Sequence, residues 1–194
     1  FTTSFYGEYG FTNRLTGIVY LPFFVRGTLN EVQYSPSGRV DPGDSFQSIG
    51  DTDLSVKYGL IINKPIVVSA TLLLGLPLGE TAGGNSQILQ SGDGEFNQMI
   101  RIDASHSFHP KPVYVSAYAA FNNRTNGFSD EVRFGAEVGI VLKKFIPILK
   151  VNIVESLYNG TGGESTQNGI FSNNTEYISP TLEVNYQLTE KIGI

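Results

Sequence analysis

The sequence predicts an all-β fold, an up-and-down antiparallel transmembrane β-barrel of about twelve strands when complete, with ten in this chain. Three observations carry that expectation. Apolar residues recur at every second position along most of the chain, which puts them on one face of a strand. The alternating segments mostly run about 10–13 residues, longer than an ordinary strand of about 5–6 and close to the 9–11 or so that a tilted membrane-crossing strand needs. The connections alternate between short turns and long loops, as in outer-membrane barrels.

The segments lie at roughly 1–9, 14–26, 50–61, 65–77, 95–108, 112–123, 131–142, 146–158, 175–188 and 190–194. In the second half Val113, Val115, Ala117, Ala119 and Phe121 alternate with Tyr114, Ser116, Tyr118 and Ala120. Phe134, Ala136, Val138 and Ile140 alternate with Gly135, Glu137 and Gly139. Ile178, Pro180, Leu182, Val184 and Tyr186 do so with Ser179, Thr181, Glu183 and Asn185. Leu54, Val56, Tyr58 and Leu60 repeat the pattern against Asp53, Ser55, Lys57 and Gly59. Short connections fall at 10–13, 62–64, 109–111, 143–145 and 189, and long ones at 27–49, 78–94, 124–130 and 159–174.

Composition agrees with one domain spanning 1–194. Of the 194 residues 16% are charged, the net charge is -5 and cysteine is absent. Charge is scarce against the roughly 25% of a typical soluble domain. No apolar run reaches the roughly 18 residues of a membrane-spanning helix, and a mean hydropathy of -0.05 is what an alternating barrel produces. The acidic balance argues against a nucleic-acid binder, and no nucleic-acid partner is expected.

A soluble sandwich would alternate too, but with its polar face to water. Here the polar face holds the ions and the other is nearly ion-free. A lumen is therefore expected to be lined by Glu8, Arg26, Asp53, Lys57, Arg101, Asp103, Arg133, Glu137, Lys150 and Glu183. Tyr114 and Tyr118 belong to the same lining, with Tyr6, Tyr20, Phe24 and Tyr177 as further inward aromatics. Glu155 interrupts the alternation, and a bulge near Val154 would turn it inward. These mixed signs either pair into a network filling the interior or line a water-filled path.

The charges divide by end. The short turns carry Arg14, Lys64, Lys111, Lys143, Lys144 and Lys191 against Glu190. The long loops hold Arg39 and Arg124 against Glu31, Asp41, Asp44, Asp51, Glu80, Asp93, Glu95, Asp130, Glu131, Glu164 and Glu176. An acidic, solvated outer rim is expected. Asp41, Asp44, Asp51 and Asp53 lack the ordered ligand spacing of a calcium loop, so neither metal nor cofactor is assigned.

Strand parity extends the argument. Bacterial single-chain barrels have even strand numbers. With both ends in the periplasm, one strand is expected before Phe1 and the end of the barrel after Ile194.

Catalysis lacks a natural home. A nucleophile needs a neighbouring base, and the two histidines, His106 and His109, lie near a short turn. Ser105 and Ser107 flank His106 on the opposite strand face. No catalytic residue is assigned and no enzyme is expected.

The stretch Tyr9-Gly10-Phe11-Thr12-Asn13-Arg14-Leu15-Thr16 resembles the strand–turn–strand motif of a bacterial outer-membrane family associated with meta-pathway phenol degradation and transport. Gly50-Asp51-Thr52-Asp53-Leu54-Ser55-Val56-Lys57-Tyr58 is similar to it as well, as are Leu74-Gly75-Leu76-Pro77-Leu78-Gly79 and Asp130-Glu131-Val132-Arg133-Phe134-Gly135. Ser179-Pro180 before a strand also fits. The resemblance implies a barrel of about twelve strands in a Gram-negative outer membrane, admitting aromatic or other small apolar solutes, and it supplies no catalytic residues. The expected function is a narrow channel or facilitator for small solutes. The alternative is a closed accessory barrel acting as a subunit of an envelope assembly. Expected partners are the lipid bilayer and lipopolysaccharide, a small solute, and proteins of such an assembly.

Overall fold

The computed structural model describes residues 1–162 and 172–188. Its strands are β1 (Thr2–Gly10), β2 (Leu15–Leu29), β3 (Val32–Tyr34), β4 (Arg39–Asp41), β5 (Asp44–Ser48) and β6 (Thr52–Ile61). They continue as β7 (Ile66–Leu76), β8 (Asn97–Ser107), β9 (Val113–Asn123), β10 (Glu131–Ile140), β11 (Phe145–Ser156) and β12 (Tyr177–Tyr186). The described residues contain no helix. The expected segment 190–194 and the turn at Thr189 lie outside the described residues.

One ten-stranded antiparallel sheet runs in the order β1-β2-β6-β7-β8-β9-β10-β11-β12, with β5 added beside β2. The sheet curls into a half-barrel. Its curvature is visible in a cavity of about 330 Å³ that Glu8 of β1 and Asp103 of β8 both line. In a flat sheet those strands, four places apart, would stand roughly 19 Å from each other. Residues such as Glu8, Lys57 and Arg101 occupy the concave face, and their strand neighbours occupy the convex one.

Short turns are locally specified. Thr12 Oγ1 accepts hydrogen bonds from the Arg14 N–H at 3.1 Å and the Leu15 N–H at 3.0 Å, which closes the β1–β2 turn. Asn63 takes φ 57° between β6 and β7, a left-handed conformation that asparagine tolerates better than most residues. Most strand pairs keep continuous register, including β8–β9, β9–β10, β10–β11 and β11–β12.

Four sequence expectations are corrected. The stretch 27–49 is not an irregular loop: β2 continues to Leu29 and pairs with β5, and β3 pairs with β4 in a separate hairpin. Arg26 does not share the face of Ile18 and Tyr20. Phe5 opposes Leu21 while Thr3 opposes Phe24, so β2 carries an extra residue there. Such a bulge reverses the face of every residue beyond it. Arg26 is therefore exposed on the convex side at the long-loop end, and Phe24 turns outward with it, its ring 6.1 Å from that of Phe1. Glu155 is the converse case. The β10–β11 register runs unbroken through Val132↔Glu155, so no bulge turns it inward, and it too is exposed on the convex side at the long-loop end.

Candidate functional site

Arg101 is the centre of the concave face. It lines three adjoining cavities of about 330, 370 and 220 Å³. Residues two apart on a strand share a face, so β8 itself places Asp103 beside Arg101. The Arg101 Nη2 donates to Asp103 Oδ1 at 2.5 Å and its Nε to the same oxygen at 2.9 Å. The guanidinium also stacks 3.6 Å from the ring centroid of Tyr118 on β9. Tyr118 can lie flat because Gly135 stands opposite it on β10. A Cβ on Gly135 would sit 2.2 Å from the ring's Cε1. The Tyr118 hydroxyl reaches over β10 to donate to Asn152 Oδ1 on β11 at 2.9 Å. Tyr114 lies across Gly139 in the same manner.

A second cluster lies towards the short turns. Lys150 Nζ donates to Glu183 Oε2 at 2.7 Å and stands 3.9 Å from Glu137 Oε2. Asn185 Nδ2 supplies another donor to Glu183 at 2.9 Å. On the first strands the Tyr6 hydroxyl donates to Glu8, while Asp53 and Lys57 line the cavity beside them. The structure thus gathers Glu8, Asp53, Lys57, Arg101, Asp103, Tyr114, Tyr118, Arg133, Glu137, Lys150 and Glu183 on one face, without Arg26.

The long-loop end holds a cluster that sequence reasoning assigned to a solvated rim. Arg124, its side chain 5% exposed, pairs with Glu95 and donates its Nη1 to Glu131 Oε1 at 2.6 Å. Its Nη2 lies 3.8 Å from Asp93 Oδ2, and its guanidinium sits 4.6 Å over the Phe128 ring. The second Glu131 oxygen accepts from Arg133 Nε at 2.9 Å and Nη2 at 2.6 Å. Asn122 donates to Asn97 Oδ1 at 2.7 Å. Glu95 Oε2 and Asn122 Oδ1 are buried without a hydrogen-bond partner among the described residues.

These loop acids are therefore folded inward rather than solvated. Loop hydrogen bonds hold the arrangement: the Phe96 N–H donates to Thr125 Oγ1 at 2.8 Å, and Asn126 Nδ2 to the Gly94 carbonyl at 2.7 Å. Burial pushes the Glu95 carboxyl up to about 8, against the pull of Arg124 and with the Asp93 charge adding to it. Asp51 is likewise raised by burial, to about 6, although it accepts the Gly79 and Asp93 N–H groups at 2.9 Å each. Asp130 is held below the ordinary carboxylate range, chiefly by its hydrogen bond from Asn159.

The four aspartates of similar composition are dispersed. Asp41 pairs with Arg39 at 2.9 Å, and Asp44 accepts the Ser86 N–H and hydroxyl at 2.8 and 2.6 Å. Asp51 and Asp53 are separate again. The described residues contain no acid–histidine group able to hold a metal.

His106 Nδ1 donates to the Pro65 carbonyl at 2.7 Å on the convex side, whereas the Ser105 hydroxyl donates to Ser116 Oγ at 3.1 Å on the concave one. They are not brought together.

The sequence did carry a signal for the missed cluster. Glu131 has the strand parity of Arg133, which extends the inner face to the end of β10. No protein-family model matches the chain, and no curated protein sequence does either.

Proposed function

We propose that the chain forms the wall of an outer-membrane β-barrel that passes small solutes along its concave face. The carrying observation is the division of the two faces. Leu182, Ile178 and Leu149 stand on the convex side with 76%, 68% and 56% of their surface uncovered. Apart from Arg26 and Glu155, both at the long-loop end, the strands of the ten-stranded sheet place their acids, lysines and arginines on the concave side. Exposed aliphatic surface of this extent is unfavourable in water and natural against lipid.

Aromatic contacts at the short-turn end support the same reading. Tyr9–Phe11, His106–Phe108 and Phe145–Tyr186 pair at 5.1, 4.6 and 4.9 Å, forming a band suited to a membrane interface. The resemblance to the outer-membrane transport family points the same way, as do the basic short turns set against acidic loops.

On the concave face Arg101, Asp103, Lys150 and Glu183 offset one another's charge, so the path selects by size and by stacking on Tyr118 and Tyr114 rather than by net charge. Small aromatic solutes fit that chemistry. No step of bond-making is assigned, and the protein is proposed to act without a cofactor. Planar-bilayer recordings test the reading. Discrete conductance, reduced by a small phenol, is expected; silence from inserted intact protein counts against it.

A second reading is a closed accessory barrel within an envelope assembly. The observation favouring it is the Arg124 cluster, which folds loop side chains over the end of the concave face. Co-purification at fixed stoichiometry with another envelope protein, without conductance, would select it.

A further inference from the structure

The convex face is not uniform. Across neighbouring strands Ala104 opposes Ala117, and Ala117 opposes Ala136. These small side chains floor a groove of about 620 Å³, walled by larger residues such as Ile66, Val115 and Leu149. That volume falls within the range of about 300–1,000 Å³ typical of ligand sites. Its lining surface is almost wholly apolar, with His106 at its lower margin.

The groove also has a polarity along the strands. Ile66 begins β7 next to a short turn, Val115 is the third residue of β9, and Leu149 lies four residues into β11. Those same turns contribute Lys64, Lys111, Lys143 and Lys144. None of these four lysines makes an ion pair among the described residues. At about 3.3 Å per residue, the turn lysines stand roughly one to two nanometres from the groove floor. The other end of the same strands is acidic, with Asp130, Glu155 and Glu176. An apolar slot with lysines at one end alone fits a molecule with an apolar tail and an anionic head. A neutral lipid would leave the lysines unused, and an apolar polypeptide would need acids placed to meet them.

We propose that this groove binds an anionic phospholipid, its acyl chain over Ala104, Ala117 and Ala136 and its phosphate at the short-turn end that Lys64, Lys111, Lys143 and Lys144 make basic. The inference rests on the membrane reading above and adds a specific lipid contact to it. The orientation follows: the lipid belongs to the leaflet at the short-turn end, which in an outer membrane is the periplasmic one. Electrostatic attraction supplies the head-group preference and burial of the tail fixes the position.

The test uses intact protein in phosphatidylcholine vesicles containing a minor fraction of phosphatidylglycerol with a photoactivatable acyl chain, against the same probe on phosphatidylcholine. Flotation first establishes insertion. Crosslinks from the phosphatidylglycerol probe should concentrate on β8–β10 near the short turns and exceed those from the neutral probe. Neutralising turn lysines (Lys64→Gln, Lys111→Gln, Lys143→Gln, Lys144→Gln) should lower the preference by up to about fivefold per lysine. Filling the groove with Ala117→Leu and Ala136→Leu should disperse the crosslinks while insertion is kept, because the added bulk faces lipid. Even labelling around an inserted protein, or a preference untouched by filling the groove, overturns the proposal and leaves the membrane reading standing. Crosslinking of a second copy or another polypeptide across the groove overturns it too. Failure to float with vesicles overturns both.

Discussion

Replacing Arg124 with glutamine removes the cation that two buried carboxylates share. Glu95 and Glu131 have side chains only 1% and 5% exposed, and both lie within ion-pair distance of the guanidinium. Deleting one partner of a buried ion pair costs about 3–5 kcal/mol, because the charge left behind has neither water nor counterion. Arg133 still reaches Glu131, so Glu95 bears most of the loss. Its carboxyl already sits near 8 instead of 4.5, and at about 1.36 kcal/mol per unit its ionisation costs the folded protein roughly 5 kcal/mol.

The direction with pH follows from that displacement. An acid whose folded value is raised costs nothing below its unfolded value. The penalty builds as pH rises from about 4.5 to about 8 and is full above that. Arg124→Gln should therefore destabilise by about 2–3 kcal/mol at pH 9, because protonation of Glu95 caps the added ionisation cost at about 1.4 kcal/mol beyond the lost hydrogen bonds. At pH 5, where protonation relieves Glu95, the loss should fall to about 1–2 kcal/mol, the worth of the lost hydrogen bonds. Urea unfolding of vesicle-embedded protein, followed by circular dichroism at pH 5, 7 and 9, measures both figures. Hydrogen exchange over 93–97 and 122–131 locates them. A loss below about 1 kcal/mol at pH 9, or one equal at both pH values, would mean that Arg124 does not offset the burial of Glu95.

Other substitutions probe the remaining parts of the site. Gly135→Ala places a Cβ 2.2 Å from the Tyr118 ring, so it should lower stability by about 1–3 kcal/mol in the same unfolding assay, and it should widen any conducting path by displacing the Arg101–Tyr118 stack. Lys150→Met leaves Glu137 and Glu183 without their shared cation; reversal potentials across a salt gradient should move towards cation selectivity, with stability changed by less than about 1 kcal/mol because these groups are part-exposed. Asp44→Ala removes the acceptor that pins Ser86 and Asn85. Limited proteolysis should then cut 81–90 faster with the β-sheet intact. In the unaltered protein that pin should persist down to pH about 2, where the Asp44 carboxyl, held low by Ser86, takes up its proton.

What could be read from the sequence was periodic, and what could not was non-local. Alternation alone found β1, β2 and β6–β12, because a half-buried strand writes its two faces into consecutive residues. It also grouped Arg101 with Asp103 and placed Lys150, Glu137 and Glu183 on one face, since parity and register carry that information together. Arg26 was misplaced by a register change that depends on β1, a different part of the chain. Pro22 within the segment was the available warning, as prolines in strands favour edges and bulges. Glu155 erred the other way: a charge at the loop end of a strand can keep its place by reaching water, so no bulge was needed. The Arg124 cluster was invisible as a cluster. Its members come from loops at 93–95 and 124 and from the start of β10, and loop acids in a sequence carry no mark of which will fold inward. The strands within 27–49 were hidden for a related reason, because turn-rich composition does not exclude pairing with a neighbour such as β2.

Lipid exposure on alternating residues of one strand decides whether the convex face meets a bilayer. The chain has no cysteine, so single cysteines can be placed without background at Ala136, Glu137, Val138 and Gly139 on β10. Each is labelled with an environment-sensitive fluorophore in vesicles and exposed in turn to a lipid-borne quencher and a water-soluble one. Positions 136 and 138 should be quenched from the lipid and 137 and 139 from water. Quenching from water at all four, or at 136 and 138 alone, would contradict a bilayer-facing convex side.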